Sequence, residues 1–206
     1  MPITDDAQAD IDAAVPRIKA LGSADAAFLF LGTQTHRARQ TAEILRLAIA
    51  PNSPEVVPAF ALRNPDIHLA GSRVEMGSTA EFFAEQCEHI AMTPADVLAH
   101  PFYCGFLEAP DRIEFWVKHA TPPGEDAAAV ARRVLHFAQS FAAAPGDTDL
   151  VVACVTHSPV LRAILIEGLG IPDPGEPNWV EQIELVIGDS QMTYRFRDRI
   201  GTLPRF

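Results

Sequence analysis

Two uninterrupted apolar runs constrain this chain more than any other feature: Ala26 to Leu31 (Ala-Ala-Phe-Leu-Phe-Leu) and Leu150 to Val155 (Leu-Val-Val-Ala-Cys-Val). A strand that is apolar at every position has no face to offer water, so both sides of its sheet must be covered, the condition of a parallel sheet between helices. A helical pattern follows each run. After the first, about His36 to Ile49 carries apolar residues at Ala38, Ala42, Leu45 and Ile49. After the second, Leu161, Ile164, Leu165 and Leu169 mark one helix face, with Ser158 as N-cap, Pro159 in the first helical position and Gly168 and Gly170 closing it. With Glu55–Pro58 as a further strand, this alternation predicts an α/β fold, a three-layer α/β/α sandwich on a mostly parallel sheet.

Around these elements, Thr4, Asp5 and Asp6 read as a helix start, with Ile11, Ala14, Val15, Ile18 and Leu21 on one face, a kink at Pro16 and a stop at Gly22. From about residue 61 to 124 short periodic pieces (Ala80–Ile90, Pro94–His100, Asp111–His119) alternate with Pro, Gly and aromatic residues, which predicts a helical insertion over the sheet. Its aromatic residues Phe102, Tyr103, Phe106, Phe115 and Trp116 are expected to form the insertion's own core rather than a partner surface. Pro122-Pro123-Gly124 ends it, and Glu125–Ala143 reads as a helix with Val130, Val134, Phe137 and Phe141 on one stripe. Glu181–Ile187 and Gln191–Arg197, joined through Gly188-Asp189, predict a terminal hairpin that could add an antiparallel edge. The expectation is one domain over residues 1–206, with an insertion at about 61–124.

Sixteen basic against 27 acidic residues give a net charge of −11, which repels a phosphate backbone and makes nucleic acid an unsuitable main partner. A small anion is still accommodated where a few Arg and His converge. The three cysteines, Cys87, Cys104 and Cys154, offer no paired spacing, so a reducing, cytoplasmic setting is expected. No apolar run approaches the ~20 residues of a membrane span, and no membrane partner is expected.

In an open parallel sheet, ligands bind beyond the carboxyl ends of the strands. Two loops lie there: Gly32-Thr33-Gln34-Thr35-His36-Arg37 and Thr156-His157-Ser158, each opening a helix whose free N–H groups favour an anion. Arg37 supplies a planar fork suited to phosphate or carboxylate, and it stands at the helix end where its charge opposes the dipole. His157 has a strand before it and a capped helix after it, a rigid mount for a proton donor or phosphate ligand. Thr35 reads equally as the N-cap of the helix that starts at His36.

These residues carry a resemblance. Thr35-His36-Arg37-Ala38-Arg39-Gln40-Thr41-Ala42 resembles the Arg-Ala-x-Gln-Thr-Ala motif of the histidine phosphatase superfamily, the phosphoglycerate-mutase-like fold. Val151 to Ser158, followed by Val160-Leu161-Arg162-Ala163, resembles that family's second histidine motif. Pro123-Gly124-Glu125-Asp126 leading to Val130–Val134 resembles the helix before it, and Pro2-Ile3-Thr4 the start of the family's first helix. The resemblance implies phosphoryl transfer to a histidine in an Arg-His-Gly loop, with a second His and two Arg on the phosphate, a carboxyl group protonating the leaving oxygen, and no metal or other cofactor. On this map Arg37 matches the second phosphate-binding arginine and His157 the second histidine; Thr33, Thr35 and Ser158, in the same two loops, are further candidate substrate contacts.

The chain departs from the pattern in two respects. No Arg-His-Gly occurs in the 206 residues, and Met1 falls where the loop after that motif should be. The nucleophile, its neighbouring Arg and a central strand are therefore expected to be missing, and the flanking strands must close together or the terminal hairpin must fill the gap. Where many members carry an acid, this chain has Leu62-Arg63-Asn64; Asp66, Glu75 and Glu81 are the nearby candidates for the proton donor. Two functions follow. One is a phosphomonoester hydrolase whose sequence starts downstream of its real beginning. The other is a non-catalytic relative that binds inorganic phosphate or a small phosphorylated or acidic metabolite through Arg37, Thr33 and His157.

Overall fold

A computed structural model describes residues 5–144 and 149–205, the side chains of Asp5 and Asp6 excepted. The expected cap at Thr4 and the Pro2-Ile3-Thr4 start lie outside the described residues. In chain order the helices and strands are α1 (Asp5–Lys19), β1 (Ala27–Gly32), α2 (His36–Ile49), β2 (Val57–Pro58), β3 (Ile67–Leu69), β4 (Ser72–Val74), α3 (Ala80–Gln86) and α4 (Pro94–Ala99). There follow α5 (Pro101–Glu108), α6 (Arg112–Lys118), α7 (Ala127–Ser140), β5 (Leu150–Val155), α8 (Ser158–Ala163), β6 (Glu184–Ile187), β7 (Gln191–Phe196) and β8 (Arg199–Pro204). The chain forms two compact units: Met1–Arg63 with Val134–His157 and Glu176–Phe206, and Asn64–Arg133 with Ser158–Gly175.

The first unit holds a parallel sheet in the order β2-β1-β5. The α/β class with a parallel sheet is as the two apolar runs predict. Of the two ways to complete the sheet, the chain uses closure: β1 pairs β5 directly along six positions, from Ala27↔Leu150 to Gly32↔Val155. Ile11, Ala14 and Ile18 of α1 and Leu45 and Ile49 of α2 enclose Phe30 of β1 in one buried cluster, as the spacing of those residues demands. Helix α1 ends at Lys19 and includes Pro16, so Leu21, placed on its buried face by the sequence pattern, is instead 45% exposed.

The expected terminal hairpin gains a third strand and does not join the parallel sheet. The antiparallel order is β6-β7-β8, a sheet of its own. Arg197 takes φ 52 in a two-residue turn between Phe196 and Arg199, and this reversal lets β8 pair with β7. Met192 and Phe196 are buried on one face, and Glu181 holds the Arg197 guanidinium at 2.6 and 3.0 Å.

The second unit is helical with one small hairpin, β3–β4, whose turn residues Ala70 and Gly71 both have positive φ. Neither this hairpin nor α5 is in the sequence reading. Phe102, Tyr103, Phe106 and Trp116 are all at most 5% exposed, and the Phe83 and Tyr103 rings meet edge-on at 4.9 Å, so the aromatic cluster is core. Pro123 and Glu125 are laced to β3 through His68 N–H to the Pro123 carbonyl (2.6 Å) and Glu125 N–H to the Asp66 carbonyl (2.7 Å). Gly124 lies between them at φ +145, where a Cβ would stand 2.1 Å from the Asp66 oxygen. Helix α7 spans Ala127–Ser140 with Val130 and Val134 buried, and Phe141–Ala143 continues it as a 3-10 turn.

The expected Ser158 cap is shifted: α8 starts at Ser158 itself and passes at Ile164–Gly168 into a π-helical turn. Arg162, on the face the pattern reserves for Leu161, Ile164 and Leu165, is fully buried. Its guanidinium Nη1 donates to both oxygens of Asp111 (2.9 and 2.8 Å), and Nε and Nη2 donate to Asp173 (3.0 and 2.5 Å).

Candidate functional site

The carboxyl ends of β1 and β5 lie side by side because Gly32 and Val155 are register partners. With β2 on one side of β1 and β5 on the other, the chain leaves β1 in one direction while the neighbouring strand lies in the other, the topological position where open parallel sheets bind ligands. The loops that follow bring three predicted residues into contact. Thr33, 1% exposed, has its hydroxyl 2.9 Å from that of Thr35 and 3.2 Å from His157 Nε2. The Thr35 hydroxyl is 3.0 Å from the same nitrogen, and the Thr35 N–H donates to Thr33 Oγ1 at 3.2 Å.

Thr35 occupies the N-cap position of α2 with the extended backbone of a cap (φ −72, ψ 142), yet its side chain makes no cap hydrogen bond. The hydroxyl that a helix start ordinarily takes for its own amides is committed to His157 instead. The first turn of α2 also carries no acidic residue. Its amides thus have neither a side-chain acceptor from the cap nor a carboxylate opposite the positive end of the dipole.

Arg37 stands in that first turn, exposed. Among the described residues its guanidinium makes no ion pair or hydrogen bond. Thr156, the residue before His157, donates its hydroxyl to the Leu62 carbonyl at 2.6 Å, so the histidine loop is fixed to the segment after β2. Sequence reasoning did not find this tie, since 94 residues separate the partners.

An imidazole nitrogen facing two hydroxyls is satisfied in either protonation state: bare, it accepts from one of them; protonated, it donates to one. The same hydroxyls, a protonated Nε2 and the amides of α2 are all donors to an oxyanion.

The remaining predicted residues belong to the second unit. Ser158, half-buried, is the first residue of α8 and follows His157 directly. Asp66 and Glu75 flank the Arg73 guanidinium, Asp66 at Nε and Glu75 at Nη1 (3.0 Å). The hydrogen bond to Asp66 holds the Arg73 guanidinium above its ordinary pKa. The Asp66 N–H also donates to Glu125 Oε2 at 2.9 Å, and Glu125 binds Arg133 through both carboxylate oxygens at 3.0 Å. Glu81 is exposed in the first turn of α3, where a carboxylate suits the dipole. No group of three or more His, Cys, Asp or Glu able to hold a metal ion occurs among the described residues, and no helix among them is long and apolar enough to cross a membrane.

Residues 106–182 match the model of the histidine phosphatase superfamily (branch 1). The matched span includes Pro123–Val134 and His157, while Thr35–Ala42 lies outside it. A comparison with curated proteins returned no match. Among solved structures, YhfR of Bacillus stearothermophilus is 18% identical with a TM-score of 0.44, covering 94% of this chain and 80% of its own. The phosphoglycerate mutase of Plasmodium falciparum is 13% identical with a TM-score of 0.45, covering 98% of this chain and 91% of its own. At TM-scores below 0.5 neither likeness bears on the fold or the site. The likeness to a known family is therefore that of residues 106–182, the span containing the His157 motif, which are similar to the histidine phosphatase superfamily (branch 1).

Proposed function

We propose that this protein binds the phosphoryl group of a small phosphorylated metabolite, or inorganic phosphate, at the carboxyl edge of the parallel sheet of its first unit. One observation carries the reading: His157 Nε2 is held by the hydroxyls of Thr33 and Thr35 where β1 and β5 end together. Thr33, Thr35 and the α2 amides donate to the phosphoryl oxygens, protonated His157 adds a charged donor, and Arg37 supplies the bidentate fork. A net charge of −11 makes such a local set of donors necessary for any anion to stay bound.

The likeness of residues 106–182 to the histidine phosphatase superfamily supports a second reading, hydrolysis of a phosphomonoester. That route, as the family runs it, passes the phosphoryl group to a histidine and then to water. The groups that meet at the sheet edge are donors to an anion, so phosphoryl binding is the reading their geometry supports. Titration calorimetry with inorganic phosphate and release of phosphate from an aryl phosphate separate the two. Binding lost in Arg37→Gln and His157→Ala, with no release, supports the adopted reading. Release that His157→Ala abolishes supports hydrolysis, and no phosphate binding at millimolar concentration overturns both.

A further inference from the structure

Two hydrogen bonds from one short segment after β2 reach both loops of the candidate site. The Ala59 N–H donates to the carbonyl of Gly32, the last residue of β1 and the one before Thr33, at 2.8 Å. The Leu62 carbonyl accepts from the hydroxyl of Thr156, the residue before His157, at 2.6 Å. Ala59 and Leu62 are 8% and 1% exposed, and a 3-10 turn over Phe60–Leu62 joins them. One buried piece of chain thus holds the residue that precedes Thr33 and the residue that precedes His157.

Proton counting separates Thr156 from the other hydroxyls of the site. A threonine hydroxyl has one proton. Thr156 gives its proton to the Leu62 carbonyl, so in this arrangement it has none to offer an anion. Thr33 and Thr35 instead turn their hydroxyls to His157 Nε2, at 3.2 and 3.0 Å, and the Thr35 N–H holds Thr33 Oγ1 at 3.2 Å. These two are organised within their own loop. The imidazole comes from the other loop, so its place against them depends on what holds that loop. The ladder between β1 and β5 reaches Gly32↔Val155, and the bond from Thr156 to Leu62 carries the restraint one residue further, to the edge of His157.

We infer that Thr156 is a positioning residue for His157: its hydrogen bond to Leu62 fixes the turn that presents the imidazole to Thr33 and Thr35. For its ligand this rests on the phosphate-binding reading above, whereas the placement of the ring is a property of the ligand-free chain. Without the hydroxyl, the carbonyl of buried Leu62 loses its donor and turns toward another, and the histidine loop moves with it. The imidazole then spends part of its time away from the two hydroxyls. An anion that needs all three donors together binds only the fraction of molecules in which they meet, and its apparent affinity falls by that fraction.

The test compares the full chain carrying Thr156→Val, which removes the hydroxyl and keeps the shape, with Thr156→Ser, which keeps the hydroxyl. Without phosphate, the ring-nitrogen resonances of His157 are expected to shift or broaden in Thr156→Val and to hold their wild-type positions in Thr156→Ser. Calorimetric titration with inorganic phosphate is expected to show binding about tenfold weaker in Thr156→Val and within about twofold of wild type in Thr156→Ser. Thr156→Cys, a weaker donor at the same position, is expected to fall in between and serves if Thr156→Val does not fold. Glu181→Gln, which weakens the Arg197 pair in the same unit, is the control for a general loss of stability and is expected to change neither readout. Unmoved His157 resonances in Thr156→Val, or a Thr156→Ser chain as impaired as Thr156→Val, overturn the role of Thr156. So does phosphate binding by Thr156→Val within about twofold of wild type while His157→Ala loses it. Absence of phosphate binding by the wild-type chain overturns the phosphate-binding reading instead, and the ligand-free spectra alone then decide the role of Thr156.

Discussion

Thr35 sits at the start of α2 with the backbone of a cap, and its hydroxyl lies 3.0 Å from His157 Nε2 instead of on the helix amides. A residue placed to stabilise a helix has been turned to an imidazole 122 positions away. Replacing it should therefore cost little helix stability and much ligand affinity. Thr35→Val is expected to lower stability by less than about 1 kcal/mol, the ordinary cost of losing a capping side chain, and to weaken phosphate binding about fivefold or more. Urea unfolding and phosphate titration of the same variant check the two halves separately.

Arg162 should be the most sensitive charged position of the second unit. It is fully buried between Asp111 and Asp173, and Arg162→Met leaves both carboxylates without their cation. Breaking a buried pair costs ~3–5 kcal/mol, and because Asp111 is 36% exposed the lower end is expected. Equilibrium denaturation measures it.

The same cluster predicts an acid limb of stability. Burial opposes ionisation of Asp111, and the Glu114 amide together with the Arg162 guanidinium outweighs it, holding the carboxyl below the usual carboxylate range. A depressed folded-state pKa adds stability above the unfolded value of about 3.9, and that contribution is lost as pH falls through the folded pKa. Wild-type stability is expected to drop below about pH 4, with a shallower drop in Arg162→Met. Melting temperature against pH for both chains checks the sign.

Two glycines with positive φ separate strain from collision. Gly124 (φ +145) has the Asp66 carbonyl oxygen 2.1 Å from where a Cβ would stand, whereas Gly170 (φ +64) has nothing within 4 Å. Gly170→Ala is expected to cost about 1 kcal/mol, the strain of a left-handed residue alone. Gly124→Ala must also push β3 from Pro123–Glu125 and is expected to cost more than about 3 kcal/mol, or ~6–12 °C in melting temperature for a chain of this size. Parallel thermal melts check the ranking.

The elements legible in the sequence are those whose pattern is local. Ala38, Ala42, Leu45 and Ile49 repeat on one helical face, so α2 follows at His36–Ile49, and the Leu150–Val155 run is β5. What stayed hidden depends on distant partners. Arg162 reads as a polar break in an apolar helix until Asp111, 51 residues away, supplies its counter-charge. The β3–β4 hairpin was missed because Ile67–Leu69 and Ser72–Val74 are too short to show alternation. For the candidate site, the two loops could be read from the strands that precede them, since those strands end at one sheet edge. That Thr33 and Thr35 both reach the same ring nitrogen, and that Thr156 ties the loop to Leu62, are consequences of register between β1 and β5.

The central claim, that His157 is an anion ligand at this edge, is tested most directly by following the ring-nitrogen resonances of the seven histidines by NMR while inorganic phosphate is added. His157 Nε2, assigned by its loss in His157→Ala, is expected to shift and saturate at the concentration found by calorimetry, with the five histidines other than His157 and His36, which opens α2, unmoved. A silent His157, or seven histidines drifting together without saturation, would contradict the account.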